Sequence, residues 1–130
     1  MKFLLDANAI VALLNGHEGF RARLTAHQPP DFGLPSIVQH ELFYGAFKSR
    51  RVSENLARIE ALQFEVLAFD RKDAFEAGRI RGELARAGTP IGPYDVLIAG
   101  QAVARSLTLV THNTCEFLRI PRLRVEDWQK

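Results

Sequence analysis

The chain has 130 residues and a net charge of +2, with 47% apolar and 25% charged residues, and this balance excludes a disordered polymer. Its length predicts one globular domain over residues 1–130, and no apolar stretch approaches the roughly 20 residues of a membrane-spanning helix. A single cysteine cannot form an internal disulfide, so we expect a reducing, cytoplasmic location and no membrane partner.

Short strand-like runs alternate with longer helical segments, and this order predicts an α/β domain with a mainly parallel central sheet. The first strand is predicted over residues 2–5. Helical periodicity follows over residues 10–14 and again over 18–26, until a Pro-Pro pair breaks the chain. The next short strand is predicted at 32–34, so the first part of the chain already has a strand–helix–strand order.

The middle of the chain predicts two helices and a third strand. Ser36, with Gln39 three residues later, has the pattern of a capping box, which would begin a helix that carries Glu41. A second short helix is predicted from about Ser53, with its apolar residues at helical spacing. Residues 66–69 are apolar, and this run predicts the third strand.

The last part of the chain predicts a long helix, a rigid loop and two short strands. Asp70 is placed to cap the long helix, and Gly88 is placed to end it. The loop at residues 89–93 contains two prolines and leads to Asp95, which begins the next apolar helix. Two short strands complete the predicted sheet, at residues 107–110 and 123–125.

Four acidic residues each lie where a predicted strand ends or a helix begins, and none of them adjoins a Lys or Arg: Asp6, Glu41, Asp95 and Glu116. The carboxyl ends of parallel strands meet at one edge of a sheet, which is where open α/β sheets build their sites. A cluster of carboxylates is costly unless a divalent cation neutralises it, and oxygen ligands suit Mg²⁺ or Mn²⁺. The sequence therefore predicts a metal-dependent hydrolase.

Each candidate also has a purely structural explanation. Asp6 and Asp95 are favoured residue types for capping the helices that follow them, and Glu41 is able to face solvent on its helix. His40 points about 100° away from Glu41 around the helix, so we expect it on the surface or in an interface and not as a metal ligand. His112 lies beside the predicted site, where we expect a solvated loop histidine.

Two surface features favour macromolecular partners. Of the 17 basic residues 13 are arginine, which binds phosphate with two parallel hydrogen bonds. Several basic residues cluster on predicted helices, at Lys48, Arg50 and Arg51 and at Arg79, Arg81 and Arg86. The stripe of Phe43, Tyr44 and Phe47 is too aromatic for one helix to bury, so we expect part of it to form a partner surface.

Four segments in chain order carry a family resemblance, at residues 4–8, 36–45, 90–99 and 109–117. No single segment is specific, but together they extend over nearly the whole chain, in the family's order and at near-family spacing. With these segments the chain resembles the PIN-domain ribonucleases, and more closely the VapC-type toxins of prokaryotic toxin–antitoxin pairs.

The resemblance implies a single PIN-like α/β domain with a central, mainly parallel sheet flanked by helices. It implies a Mg²⁺-dependent endoribonuclease, with Mn²⁺ able to substitute, that hydrolyses RNA phosphodiester bonds through a metal-activated water. It further implies a homodimeric toxin that a cognate antitoxin protein holds inactive. The alternative interpretation is a catalytically weak PIN-like module that binds RNA or protein.

The site residues of the family match positions in this chain. Asp6, Glu41 and Asp95 match the metal-binding acids, and Glu116 matches a later, less uniform acidic position. Polar positions of the family's site are matched by Asn8, Ser36 and Thr111. Where many PIN domains have an acid two residues after the Thr, this chain has Asn113, which adds no charge. The residues implied as catalytic are therefore Asp6, Glu41, Asp95, Glu116, Asn113 and Thr111.

Overall fold

Five strands form the central sheet of the computed structural model, which describes residues 1–130. The strands are β1 (Phe3–Leu5), β2 (Phe32–Pro35), β3 (Glu65–Leu67), β4 (Thr108–Val110) and β5 (Val125–Glu126). They pair in the order β3-β2-β1-β4-β5, so the first strand lies in the middle of the sheet. Every pairing is parallel, which confirms the predicted α/β class.

Seven α-helices connect these strands. They are α1 (Ala7–Leu14), α2 (Glu18–Thr25), α3 (Ser36–Phe47), α4 (Val52–Glu60), α5 (Arg71–Arg86), α6 (Pro93–Ala104) and α7 (Thr114–Phe117). A 3₁₀ turn over Pro29–Asp31 precedes β2. None of the helices is both long enough and apolar enough to cross a membrane.

The central strand β1 is buried on both faces, because Phe3, Leu4 and Leu5 all lie inside the core. Consecutive strand residues point to opposite faces, so this apolar run requires cover on each side of the sheet. At the edge of the sheet, β3 leaves Glu65 and Val66 exposed. Burial is therefore greatest at the central strand β1, which is followed directly by Asp6, the first candidate acid.

Trp128 attaches the C-terminal segment to the sheet. Its ring is buried and packs edge-on against Phe3 and in parallel with His27, with centroid distances of 4.9 and 5.7 Å. Its Nε1 donates a hydrogen bond to Glu126 at 2.9 Å, and the same carboxylate pairs with Arg23 at 3.1 Å. The residues that follow β5 are therefore held in place by buried aromatic packing.

Three predicted helix boundaries are confirmed, since α3 also begins at Ser36, but one predicted cap is wrong. Asp70 caps α5 by accepting a hydrogen bond from the Asp73 backbone N–H at 3.0 Å, and Gly88 follows that helix with a φ of 72°. The predicted capping box at Ser36 is absent, because β2 runs directly into α3 and Pro35 occupies the N-cap position. Ser36 lies one residue too late for its hydroxyl to cap the helix.

Gly100 lets α6 approach α5, since a Cβ at this position would lie 2.6 Å from the Cα and N of Ala77. We expect Gly100→Ala to lower the free energy of unfolding by about 2 kcal/mol, because backbone atoms would have to move. Gly78→Ala is the matched control: its Cβ would meet nothing within 4 Å, and alanine favours an exposed helix by up to about 1 kcal/mol. Urea unfolding measures both, and equal effects would contradict this packing.

Candidate active site

Asp6 follows β1 directly and is held by two neighbouring elements. Its Oδ1 accepts a hydrogen bond from the backbone N–H of Ala9 at 3.0 Å, so it caps α1. The Thr111 hydroxyl also hydrogen-bonds to this carboxyl group, which is only 5% exposed. Asp6 is able both to cap the helix and to take part in a site. The hydrogen bond from Ala9 holds its side chain at the edge of the sheet where the strands end.

A chain of hydrogen bonds links Asp6 to Glu116. Thr111 lies beside Asp6 because the strands that precede them, β1 and β4, are paired. The Thr111 hydroxyl oxygen accepts from the backbone N–H of Asn113 at 3.0 Å. The Asn113 side-chain amide then donates to the Oε2 of Glu116 at 3.2 Å. Two neutral residues therefore hold two of the predicted acids.

Asp95 and Glu116 form a coupled pair. Asp95 is the third residue of α6, whose N-cap is Gly92, and Glu116 lies on α7, a helix that the sequence did not predict. Burial, together with the hydrogen bond to Glu116 and its charge, raises the pKa of Asp95 to about 7. The same hydrogen bond holds the pKa of Glu116 below its ordinary value. Within the pair, Asp95 therefore keeps its proton to a higher pH than Glu116 does.

Burial also raises the pKa of the other two predicted acids. The pKa of Asp6 rises to about 6, against the opposing effect of its hydrogen bonds, and the pKa of Glu41 is raised as well. The charge of Glu41 contributes to the raised pKa of both Asp6 and Asp95, so these acids lie near one another. None of the four carboxylates forms an ion pair with Lys or Arg.

The four acids suit a divalent cation in donor chemistry and in charge. Carboxylate oxygens are the ligands that Mg²⁺ and Mn²⁺ prefer, and burial followed by the neighbouring negative charges raises the pKa of both Asp6 and Asp95. No three His, Cys, Asp or Glu side chains converge closely enough in this structure to form a complete cation site. Binding a cation therefore requires the carboxylate side chains to move toward one another.

The remaining predicted polar positions follow the carboxyl ends of β1 and β2. Asn8 is exposed on α1, two residues after Asp6, and Ser36 is half-buried at the start of α3. His40 is exposed as predicted, and its Nδ1 lies 2.8 Å from the carbonyl oxygen of Ile37 on the same helix. Asn8 and Ser36 thus lie at the edge that carries the acids, whereas the ring of His40 contacts the backbone of its own helix, α3.

Sequence reasoning missed two side-chain contacts near the acids. Arg119, three residues after Glu116, donates to the carbonyl oxygen of Pro90 at 2.9 Å and ties the proline loop to the segment after α7. The only local feature that could have indicated a role for Arg119 is its position three residues after Glu116. His112 is exposed as predicted, but its Nδ1 contacts the Asp127 carboxylate at 3.1 Å. The only feature that could have indicated this contact is that His112 and Asp127 follow the neighbouring strands β4 and β5.

A groove of about 550 Å³ lies beside Glu41, between α1, α3 and α4. Apolar side chains line most of it, including Val11, Leu14, Leu42, Ile59 and Tyr94. Tyr44 also lines the groove and is 62% exposed, whereas Phe43 packs against the core. Part of the aromatic stripe is therefore exposed, as predicted. Since Glu41 belongs both to the groove and to the acid cluster, a ligand in the groove reaches the acids.

Known proteins are similar to this chain in fold and in sequence over nearly its whole length. The PIN domain family model matches residues 3–123. The tRNA(fMet)-specific endonuclease VapC of Salmonella typhimurium is 46% identical over 131 residues, with 98% of each chain covered. Ribonuclease VapC2 of Rickettsia felis is 37% identical over 134 residues, with both chains fully covered. The crystal structure of DNA-bound VapBC from Salmonella typhimurium matches with a TM-score of 0.93 at 46% identity, covering 98% of each chain.

The raised pKa of Asp95, which burial and the neighbouring negative charges cause, predicts that Asp95→Asn stabilises the fold at high pH. The pKa of Asp95 is raised from 3.8 to about 7, so the unfolded chain ionises first and wild-type stability falls as the pH rises through this window. Without metal, we expect Asp95→Asn to be more stable than the wild type at pH 8 by about 1 to 2 kcal/mol, a figure reduced for solvent screening. The difference should vanish near pH 4.

Urea unfolding in a chelating buffer at pH 4 and pH 8 measures this effect. Glu60→Gln is the matched control, since it removes an exposed carboxylate from α4 and should change stability little at either pH. An Asp95→Asn variant that is less stable than the wild type at pH 8 would contradict the raised pKa of Asp95.

Proposed function

The chain belongs to the PIN-domain family and, within it, to the VapC ribonucleases, and on this basis we propose that residues 1–130 form a metal-dependent endoribonuclease, the toxin of a toxin–antitoxin pair. The observation that carries the proposal is the group of carboxylates at one sheet edge, none of which forms an ion pair with Lys or Arg. RNA is itself an anion, so such a site is suited to it only when a cation is bound.

We assign the metal site to Asp6, Glu41 and Asp95, with Mg²⁺ as the expected cation and Mn²⁺ able to replace it. When bound, the cation activates water and stabilises the negative charge that develops on the phosphate. Thr111 orients Asp6 through the hydrogen bond between their side chains. Because Asn113 contributes no charge, we expect the three carboxylates to hold one cation.

The opposed pKa shifts support different roles for the acids. Asp6 and Asp95 have pKa values raised to about 6 and 7, whereas the hydrogen bond with Asp95 holds the pKa of Glu116 below its ordinary value. Glu116 adjoins Asp95 without being one of the three assigned ligands, and we assign it the role of accepting a proton from the attacking water. Asn113 orients Glu116 by donating to its Oε2 at 3.2 Å.

Transfer RNA is the substrate class that the relatives favour. The Salmonella relative, named for tRNA(fMet), is 46% identical to this chain, so the initiator tRNA is the first substrate to test. A tRNA substrate and an unpaired cysteine are both consistent with the cytoplasm as the place of action. The alternative, a catalytically weak module that binds RNA or protein, is favoured by Asn113, and the cleavage assay separates it from an enzyme.

We expect Asp6→Asn and Asp95→Asn each to lower RNA cleavage by about 100-fold or more, because each removes an anionic ligand that contacts the cation. Asn is also a good N-cap, so Asp6→Asn keeps α1 capped. The measurement is cleavage of initiator tRNA by purified chain with Mg²⁺ or with a chelator, together with growth arrest on expression. Glu60→Gln is the control and should leave both unchanged.

Two outcomes would contradict the proposed activity. One is cleavage that persists undiminished in both Asn variants, provided that circular dichroism shows them folded. The other is cleavage that a chelator does not affect. Binding of RNA without cleavage by the wild type, in Mg²⁺ or Mn²⁺, would instead support the alternative module.

The groove beside Glu41 suits an antitoxin segment. The relatives include toxins seen in complex with an antitoxin, as in the VapBC structures of Salmonella typhimurium and Rickettsia felis. Apolar side chains of the antitoxin would pack on the lining of the groove, and a basic side chain would reach Glu41 and the other acids. The homodimer implied by the resemblance stays a prediction.

We expect Tyr44→Ala to weaken binding of the cognate antitoxin by at least about 2 kcal/mol, roughly 30-fold in Kd, because Tyr44 offers a large aromatic surface at the groove. Phe75→Ala is the matched control: Phe75 is 63% exposed on α5, outside the groove, and should not contribute. Calorimetry with the antitoxin encoded beside this chain's gene measures both. An unchanged affinity for Tyr44→Ala would place the antitoxin elsewhere.

A further inference from the structure

His112 lies between two residues of the candidate site and is held by a buried carboxylate. Its neighbours Thr111 and Asn113 are the residues that hydrogen-bond to Asp6 and Glu116. The Nδ1 of His112 lies 3.1 and 3.3 Å from the two carboxylate oxygens of Asp127. The side chain of Asp127 is 7% exposed, whereas that of His112 is 60% exposed. The ring is therefore oriented from its inner side and open on its outer side.

The sheet places this pair at the edge that carries the acids. Strands β4 and β5 are paired with Val110 opposite Glu126, and the backbone N–H of Thr111 donates to the carbonyl oxygen of Glu126 at 3.0 Å. His112 and Asp127 come directly after these positions, at the carboxyl ends of their strands. Since β4 is also paired with β1, the edge that presents Asp6 continues to His112.

The contact determines which nitrogen of the ring carries hydrogen. A carboxylate offers only acceptors, so the Nδ1 of His112 donates to Asp127. In the neutral ring the other nitrogen, Nε2, then has a free lone pair, so this 60% exposed side chain offers a hydrogen-bond acceptor.

Anchoring the C-terminal segment does not account for the contact. Trp128 already holds that segment through buried aromatic packing and its hydrogen bond to Glu126. Asp127 also accepts from the backbone N–H of Gln129 at 2.9 Å. The local turn therefore has its own hydrogen bond, and the exposed ring of His112 adds little to the fold.

We propose that the Nε2 of His112 accepts a hydrogen bond from a ribose 2′-hydroxyl of RNA beside the cleaved phosphodiester bond, with Asp127 as a positioning residue. The inference rests on the proposed ribonuclease function. Phosphate oxygens are acceptors, so the 2′-hydroxyl is the donor that the RNA backbone offers to an acceptor on the protein. DNA lacks this hydroxyl, and the contact therefore favours RNA over DNA without reading any base.

The experiment uses an RNA oligonucleotide that spans the cleavage position mapped for this chain, with single 2′-deoxy substitutions at the nucleotides around it. In the wild type, we expect one substitution to lower kcat/KM by about 3- to 10-fold, the effect of one hydrogen bond. His112→Ala should lower kcat/KM on the all-ribose oligonucleotide by a similar factor. The same 2′-deoxy substitution should then cause no further loss, because the two changes remove one shared contact.

Asp127→Asn tests the positioning role separately. An Asn side chain has the same shape but is able to donate to Nδ1, which moves the hydrogen of the ring to Nε2 and removes the acceptor. It should reproduce the loss seen for His112→Ala, including the lost sensitivity to that one ribose. Its Oδ1 still accepts from Gln129, and thermal unfolding and antitoxin affinity should stay unchanged.

Two results would overturn the inference while leaving the ribonuclease in place. One is a wild type that cleaves RNA but is insensitive to every single 2′-deoxy substitution. The other is a His112→Ala variant that keeps the full sensitivity. A wild type that cleaves no RNA with Mg²⁺ or Mn²⁺ would overturn the proposed function and this inference together, so the two failures are distinguishable.

Discussion

The burial of several carboxyl groups beside one another at one edge of the sheet is the constraint on which the rest of the site depends. Asp6, Glu41, Asp95 and Glu116 lie near one another, and their mutual charge helps to raise the pKa of Asp6 and Asp95. The groups that hold them are neutral donors: a backbone N–H and a hydroxyl for Asp6, and an amide for Glu116. Neutral donors orient a carboxylate without cancelling its charge, so the negative charge remains available to a cation.

The order of the sheet produces this crowding and keeps it in place. Strand β1 lies between β2 and β4, so the residues that follow three neighbouring strands meet at one edge. Leu4 and Leu5 are fully buried immediately before Asp6. A shift of β1 by one residue would bring Asp6 into the apolar core, where an unpaired charge is very costly. The packing of β1 in the core therefore keeps Asp6 beside the other carboxylates.

Local sequence signals predicted the parts of the site that depend on local structure. Asp6 after a buried strand, and Asp95 after a proline loop, were found because each lies next to a strong boundary signal. Strand β2 runs into α3 without a linker, so the predicted cap at Ser36 was wrong. Helix α7 is only four residues long and has too little periodicity to be recognised. The contact of His112 with Asp127 depends on the pairing of β4 with β5, which no local pattern contains.

Glu41 connects the proposed activity with its proposed inhibition, because it lies both in the acid cluster and on the wall of the apolar groove. A single positive charge 4 Å from a carboxylate is worth about 4 kcal/mol at an effective dielectric constant of about 20. The groove therefore needs to supply only hydrophobic contact for a segment whose basic residue is attracted by the acids. In the proposed toxin the unneutralised charge would attract the catalytic cation and the inhibitor's basic side chain alike, so the two would compete for one site. His112 lies at the same edge on the far side of β4 from Asp6 and outside the groove, so the proposed contact with a ribose does not depend on the groove that the antitoxin would occupy.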